Sequence, residues 1–74
     1  MVKTEIRDFN NYIIAYVELD ERTGDKTLRD FYNKILGYYR KSRNVSTNFA
    51  GKVLGYGDFT VAMILQYERM NLDI

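Results

Sequence analysis

The chain holds no cysteine and no histidine among its 74 residues. No disulfide can brace the fold and the usual zinc ligand sets are missing, so apolar packing has to hold it together. A chain this short buries only about 60% of its unfolded surface, which makes its core marginal. A hydrophobic share of 46% and an aromatic share of 15% still argue for a core rather than for disorder. Residues 1–74 are therefore read as a single domain, for which self-association is the usual additional support.

The strongest periodic signal is an apolar stripe. Leu28, Phe31, Tyr32, Ile35, Leu36 and Tyr39 recur at helical spacing, with Arg29, Asp30, Asn33, Lys34 and Arg40 on the opposite side. This predicts one helix, capped by Asp25 or Thr27, with Arg40 and Lys41 at its negative end. Gly37 weakens such a helix by about 1 kcal/mol, or else permits close packing.

The remaining elements follow around it. Residues 1–10 read as a polar N-terminal arm, ending in a turn at Asn10-Asn11. A strand is predicted from about Tyr12 to Leu19, apolar on both faces, followed by a charged loop from Asp20 to Asp25. Beyond the helix, Val45 to Tyr67 reads as a hairpin turning at Gly57-Asp58. Its second strand alternates Phe59, Val61, Met63, Leu65 and Tyr67 against Thr60, Ala62, Ile64 and Gln66. Residues 69–74 form a C-terminal tail. The expected fold class is α+β: a small β-α-β-β domain with a three-stranded, mainly antiparallel sheet packed on one helix. No low-complexity stretch and no internal repeat is read.

One helix covers one face of such a sheet. The second face would then expose Tyr12, Ile14, Tyr16, Phe49, Val53, Ala62 and Ile64, and an apolar patch of this kind marks an interaction surface. Its cover is either a second copy in a two-fold homodimer or the arm and tail of the same chain.

The missing residue types also bear on chemistry. Without His or Cys there is no Ser-His-Asp or Cys-His arrangement and no imidazole acid-base catalysis. The acids fall in turns or at element ends, and Asp20, Glu21 and Asp25 lack the calcium-loop pattern. Gly51, Gly55 and Gly57 match neither a Walker loop nor a dinucleotide fingerprint and read as hairpin glycines. The protein is expected not to be an enzyme and to need no cofactor or metal.

The charge pattern gives the one functional lead. From Phe31 to Gly57 there are five basic residues, six aromatics and no acid, whereas the rest of the chain holds six basic residues against ten acids. Lys34, Arg40, Lys41, Arg43 and Lys52, with Tyr38 and Tyr56 to stack on bases, form a candidate nucleic-acid surface. The alternative is a protein-protein interaction module, an adaptor, inhibitor or subunit, using the same Tyr and Arg residues or the second sheet face. In both readings the protein is a small regulatory or binding protein.

Met1-Val2-Lys3-Thr4-Glu5 is no signal peptide, and Asn44-Val45-Ser46 is read as a chance match to a glycosylation triplet. No apolar run approaches the ~20 residues of a membrane span, so no membrane partner and a cytoplasmic location are expected.

Overall fold

The computed structural model describes residues 1–64. It is a six-stranded antiparallel meander in sequence order: β1 Val2–Arg7, β2 Ile13–Leu19, β3 Lys26–Asp30, β4 Ile35–Arg40, β5 Val45–Asn48 and β6 Val53–Tyr56. A helical segment, α1, follows over residues 60–64. This overturns the predicted three-stranded sheet on one helix.

Three of the five connections are built alike. The stretches from Asp8 to Tyr16, Asp30 to Tyr38 and Asn48 to Tyr56 read DFNNYIIAY, DFYNKILGY and NFAGKVLGY. The chain thus does carry an internal repeat, nine residues long and present three times. In each copy the first side chain lends one Oδ1 to two backbone N–H groups. Asp8 takes those of Asn10 and Tyr12, Asp30 those of Tyr32 and Lys34, and Asn48 those of Ala50 and Lys52, all at 2.8–3.0 Å. The fourth residue, Asn11, Asn33 or Gly51, has a positive φ of 70°, 70° or 86°. Asn and Gly are the residue types that tolerate this left-handed conformation best. A turn of this kind followed by a left-handed residue is a common hairpin connection.

The repeat also sets the register. Arg7 pairs with Ile13 and Ile6 with Ala15; Arg29 pairs with Ile35 and Leu28 with Gly37; Thr47 pairs with Val53 and Ser46 with Gly55. Ile14, Leu36 and Leu54 are therefore the extra residue of a bulge at the same place in every copy, and each bulge adds local twist.

Side chains of directly paired strand residues share a face. Ile6, Ala15, Val17, Leu28, Gly37, Ser46 and Gly55 lie on the face that α1 covers. The core cluster is Ala15, Leu28 and Ile64, with Ile6, Ile14, Val17, Leu36 and Met63 packed around it. The eighth position of the repeat, Ala15, Gly37 or Gly55, stays small because the covering segment sits directly on it. A Cβ at Gly37 would lie 2.6 Å from the Thr47 carbonyl oxygen and 2.7 Å from Met63 Sδ, and one at Gly55 would strike the Phe59 ring.

Several predicted elements change accordingly. The helical stripe dissolves into β3, a turn and β4. Asp30 and Asn33 form a tight turn there, with the Asp30 side chain taking backbone donors a helix would keep for itself. The apolar i, i+3, i+4 spacing arises because the turn between two alternating strands shifts the phase. The arm is instead the edge strand β1, paired with β2 along Val2–Arg7. The hairpin turn falls at Asn48–Lys52 rather than at Gly57-Asp58, and residues 60–64 are helical rather than extended. Strand β2 and the loop from Asp20 to Asp25 match their prediction. Leu65, Gln66, Tyr67 and the tail 69–74 lie outside the described residues.

Two substitutions probe this architecture. Gly37→Ala inserts a methyl against a backbone oxygen that cannot swing aside, and should cost about 1–3 kcal/mol. A thermal melt should show Tm lower by several degrees. Asn48→Ala leaves two turn N–H groups without their acceptor and should cost about 1–2 kcal/mol. Asn48→Asp keeps the acceptor that Asp8 and Asp30 supply naturally, and its urea midpoint should stay near the parent's.

Candidate functional site

The face of the sheet opposite α1 gathers the aromatic and charged side chains. The ninth residue of each repeat is a tyrosine: Tyr16 on β2, Tyr38 on β4 and Tyr56 on β6. The pairings put all three on this outer face. Tyr16 lies opposite Glu5 and Arg29, Tyr38 opposite Thr27 and Thr47, and Tyr56 opposite Val45. Alternate strands stand about 10 Å apart, and Tyr38 is level with Glu18 and Tyr56 with Arg40, so the three tyrosines form a diagonal row that steps two residues along the strands each time. Tyr16 and Tyr38 are half-buried and Tyr56 is exposed.

Cations sit against two of the rings. Lys3 Nζ is 4.3 Å from the Tyr16 ring centroid, and Arg40 Cζ is 4.5 Å from that of Tyr38. Arg7 and Arg29 share the face but are neutralised there, Arg7 by Glu5 at 2.8 Å and Arg29 by Glu18. Arg40 also lies 3.7 Å from Asp25 in a loose ion pair. The outer face therefore presents aromatic rings with cations beside them, while Glu5 and Glu18 are held in pairs.

The structure divides the residues singled out from the sequence. Tyr38, Arg40 and Tyr56 share the outer face. Lys41 and Arg43 lie in the β4–β5 turn just beyond Arg40. Lys34 and Lys52 belong to the β3–β4 and β5–β6 turns at the other end of the sheet, Lys34 the length of β4 from the β4–β5 turn, about 20 Å, and Lys52 the length of the shorter β5, about 13 Å. Lys3 was missed, because the N-terminal segment was not read as a strand, and Tyr16 was assigned to the apolar second face rather than to the surface of Tyr38 and Tyr56. The ninth-position tyrosine of the repeat is the signal that finds Tyr16.

The candidates for an apolar second face do not share one either. Tyr16 and Val53 are on the outer face, Tyr12 and Phe49 in turns, Ile14 at a bulge packed on the core, and Ala62 on α1. Ile64 is buried within its own chain against Ala15 and Leu28. Among the described residues, α1 and the connection before it lie over the side of the sheet that holds the core cluster.

That connection is fixed by polar contacts. The Ser46 hydroxyl, fully buried, donates to the Gly57 carbonyl at 2.7 Å and accepts from the Phe59 N–H at 2.9 Å. Asp58 caps the start of α1 by accepting from the Thr60 N–H and hydroxyl, and pairs with Lys26 of β3 at 2.6 Å. Partial burial opposes ionisation of Asp58. The hydrogen bonds from Lys26 and Thr60, helped by the Lys26 charge, outweigh it and hold the carboxyl below its ordinary value. Beside this contact an open depression of about 460 Å³ is lined by Leu19, Glu21, Gly24, Lys26, Tyr39 and Lys41. Its Lys26 is already engaged by Asp58.

Among the described residues no group of three or more carboxylate, histidine or cysteine side chains is placed to hold a metal ion, and no helix is long and apolar enough to cross a membrane. Comparison with protein-family models, curated proteins and solved structures finds no match to this chain.

The Asp58 contact has a defined pH dependence. The folded carboxyl titrates below the unfolded one, so its stabilising contribution is complete above the unfolded value of about 4 and fades as pH falls through the folded value. Asp58→Asn keeps a capping oxygen but loses the charge. Urea unfolding should show the parent more stable than Asp58→Asn at pH 7, with the gap narrowing as the pH falls below about 4. A gap that does not change over this range would mean that the Lys26 pair contributes nothing.

Proposed function

We propose that the protein is a non-catalytic binding module whose outer sheet face takes single-stranded nucleic acid. One observation carries this reading: the repeat delivers a tyrosine to the same face from three alternate strands, with Lys3 and Arg40 lying against two of the rings. A sheet face with spaced aromatics and cations is the platform on which unstacked bases are held. An exposed cation–π contact is worth about 0.5–1 kcal/mol. Base stacking on an aromatic side chain is worth about 1–3 kcal/mol, so an incoming base can displace the cation from the ring. The displaced ammonium or guanidinium then meets the adjoining phosphate, which makes the affinity salt-dependent. A duplex hides its base faces, and a flat row of rings has no means of reaching them.

Arg43, in the turn at the end of β4 next to Arg40, extends the phosphate track beyond the row, whereas Lys41 lies against Gly24 in the depression on the other side. Lys34 and Lys52 take no part in it. The net charge of +1 suits a modest affinity, since dedicated nucleic-acid binders are basic throughout.

Fluorescence anisotropy with single- and double-stranded oligonucleotides at low and moderate salt tests the reading. Micromolar binding of single strands, weaker in salt, is expected. Tyr38→Ala combined with Tyr56→Ala should weaken it at least about tenfold, as the loss of one to two stacking contacts implies. Arg40→Glu should weaken it and flatten the salt dependence. Absence of single-strand binding at low salt would overturn the reading and direct the search to protein partners.

A further inference from the structure

The second position of every repeat is a phenylalanine outside the core cluster, with one ring contact among the described residues, that of Phe31 edge-to-face on Tyr32. Phe9, Phe31 and Phe49 lie at the tips of the three like turns and are 98%, 53% and 67% exposed. Turn tips accept almost any residue and usually carry polar ones. In these turns the first residue supplies the acceptor and the fourth the left-handed φ, so nothing in the hairpin requires an apolar second residue. Three exposed phenylalanines therefore need another reason.

Their placement suggests it. The turns joining β1–β2, β3–β4 and β5–β6 all emerge at one end of the sheet, while the β2–β3 and β4–β5 connections lie at the other. The three rings therefore form a staggered row: Asp30 pairs with Ala15 and Asn48 with Gly37, so each turn is set back two to three residues from the one before, about 7–10 Å along the strands, as well as about 10 Å across them. Tyr12 and Tyr32, 71% and 83% exposed, belong to the same end. The strand twist of about 20–25° fans the outer turns away from the middle one but leaves all three rings at the same rim. The fifth position adds charge: Lys34 and Lys52 are exposed beside Phe31 and Phe49. The nearby Asp8 and Asp30 carboxylates each spend an oxygen on backbone donors, and Asp30 is buried.

We infer that this rim docks on an anionic lipid bilayer surface, with the phenylalanines entering the interface and Lys34 and Lys52 facing the headgroups. Aromatic rings favour the membrane–water boundary, and lysines just outside it are drawn to anionic headgroups. The charge distinguishes this occupant from a second copy. Rim-to-rim pairing about a two-fold axis through the middle turn would set Lys34 against its own counterpart, whereas an anionic surface complements every exposed lysine of the rim. Docking of this kind lies in the interface plane and needs no spanning segment.

Co-sedimentation of the full chain with phosphatidylcholine vesicles, with and without about one third phosphatidylserine, tests the inference. The parent should pellet with the anionic vesicles and remain largely in the supernatant with the neutral ones. Phe9→Ser, Phe31→Ser and Phe49→Ser combined should lower the bound fraction at least tenfold, and Lys34→Gln with Lys52→Gln should lower it severalfold. Circular dichroism melts of these variants should match the parent, because each altered side chain is exposed; the single Phe9→Ser variant serves if the triple one melts early. A parent that stays in the supernatant with anionic vesicles overturns the inference, as does a folded triple variant that binds as well as the parent. If the parent is instead a dimer by light scattering and the triple variant a monomer, the rim is a self-association surface and the lipid proposal fails. Oligonucleotide binding by the outer face is read separately, through Tyr38 and Tyr56, and neither result decides the other.

Discussion

A single side-chain oxygen organises each of the three like hairpins. Oδ1 of Asp8, Asp30 or Asn48 accepts from the backbone two and four residues on, while the same residue's carbonyl accepts from the third. These bonds satisfy donors that would otherwise face solvent or compete for other partners, and they lock the left-handed residue that closes the turn. With the turn set, the pairing register of the flanking strands is set as well. The meander therefore arises mostly from local contacts, each strand pairing with its sequence neighbour, and such topologies pay little loop entropy.

The thin core follows from this design. A small sheet of short strands can bury one face only if something lies across it, and that role falls to α1 and the connection before it. Their close approach is allowed by the small eighth residue of the repeat and anchored by Ser46 and by the Asp58–Lys26 pair. Leu28 at the centre touches both layers, which is why it is fully buried although β3 is only five residues long. The bulges at Ile14, Leu36 and Leu54 let a hydrophobic side chain escape strict alternation. Ile14 and Leu36 use that freedom to pack on the core.

Repetition has a functional consequence as well. Whatever a repeat position contributes, it contributes three times on alternate strands. Position nine becomes a tyrosine row on the outer face, and position two a phenylalanine row at one rim. The two rows point in different directions and have different companions: paired and ring-stacked cations on the face, exposed lysines at the rim. A chain of near-neutral charge can thus offer two distinct surfaces without being basic as a whole.

The sequence by itself determined the lack of His and Cys, the strand at Ile13–Leu19, and the turns at Asn10-Asn11 and Asp20–Asp25. Those features depend on residue type or on short-range alternation, which composition and spacing report directly. The stretch from Leu28 to Tyr39 was misread because two short strands joined by a tight turn reproduce helical spacing, and period alone does not separate the two. The signal that does separate them is Asp30 with Asn33, repeated as Asp8 with Asn11 and Asn48 with Gly51, and it becomes compelling only when the three are aligned. Tertiary structure decided the rest. Which sheet face is covered, that Ile64 lies in the core, and that Tyr38 and Tyr56 share a face all follow from the order in which strands pair and from where the chain after β6 settles. Those are long-range choices, made by burial of a shared core, and no local pattern of residues encodes them.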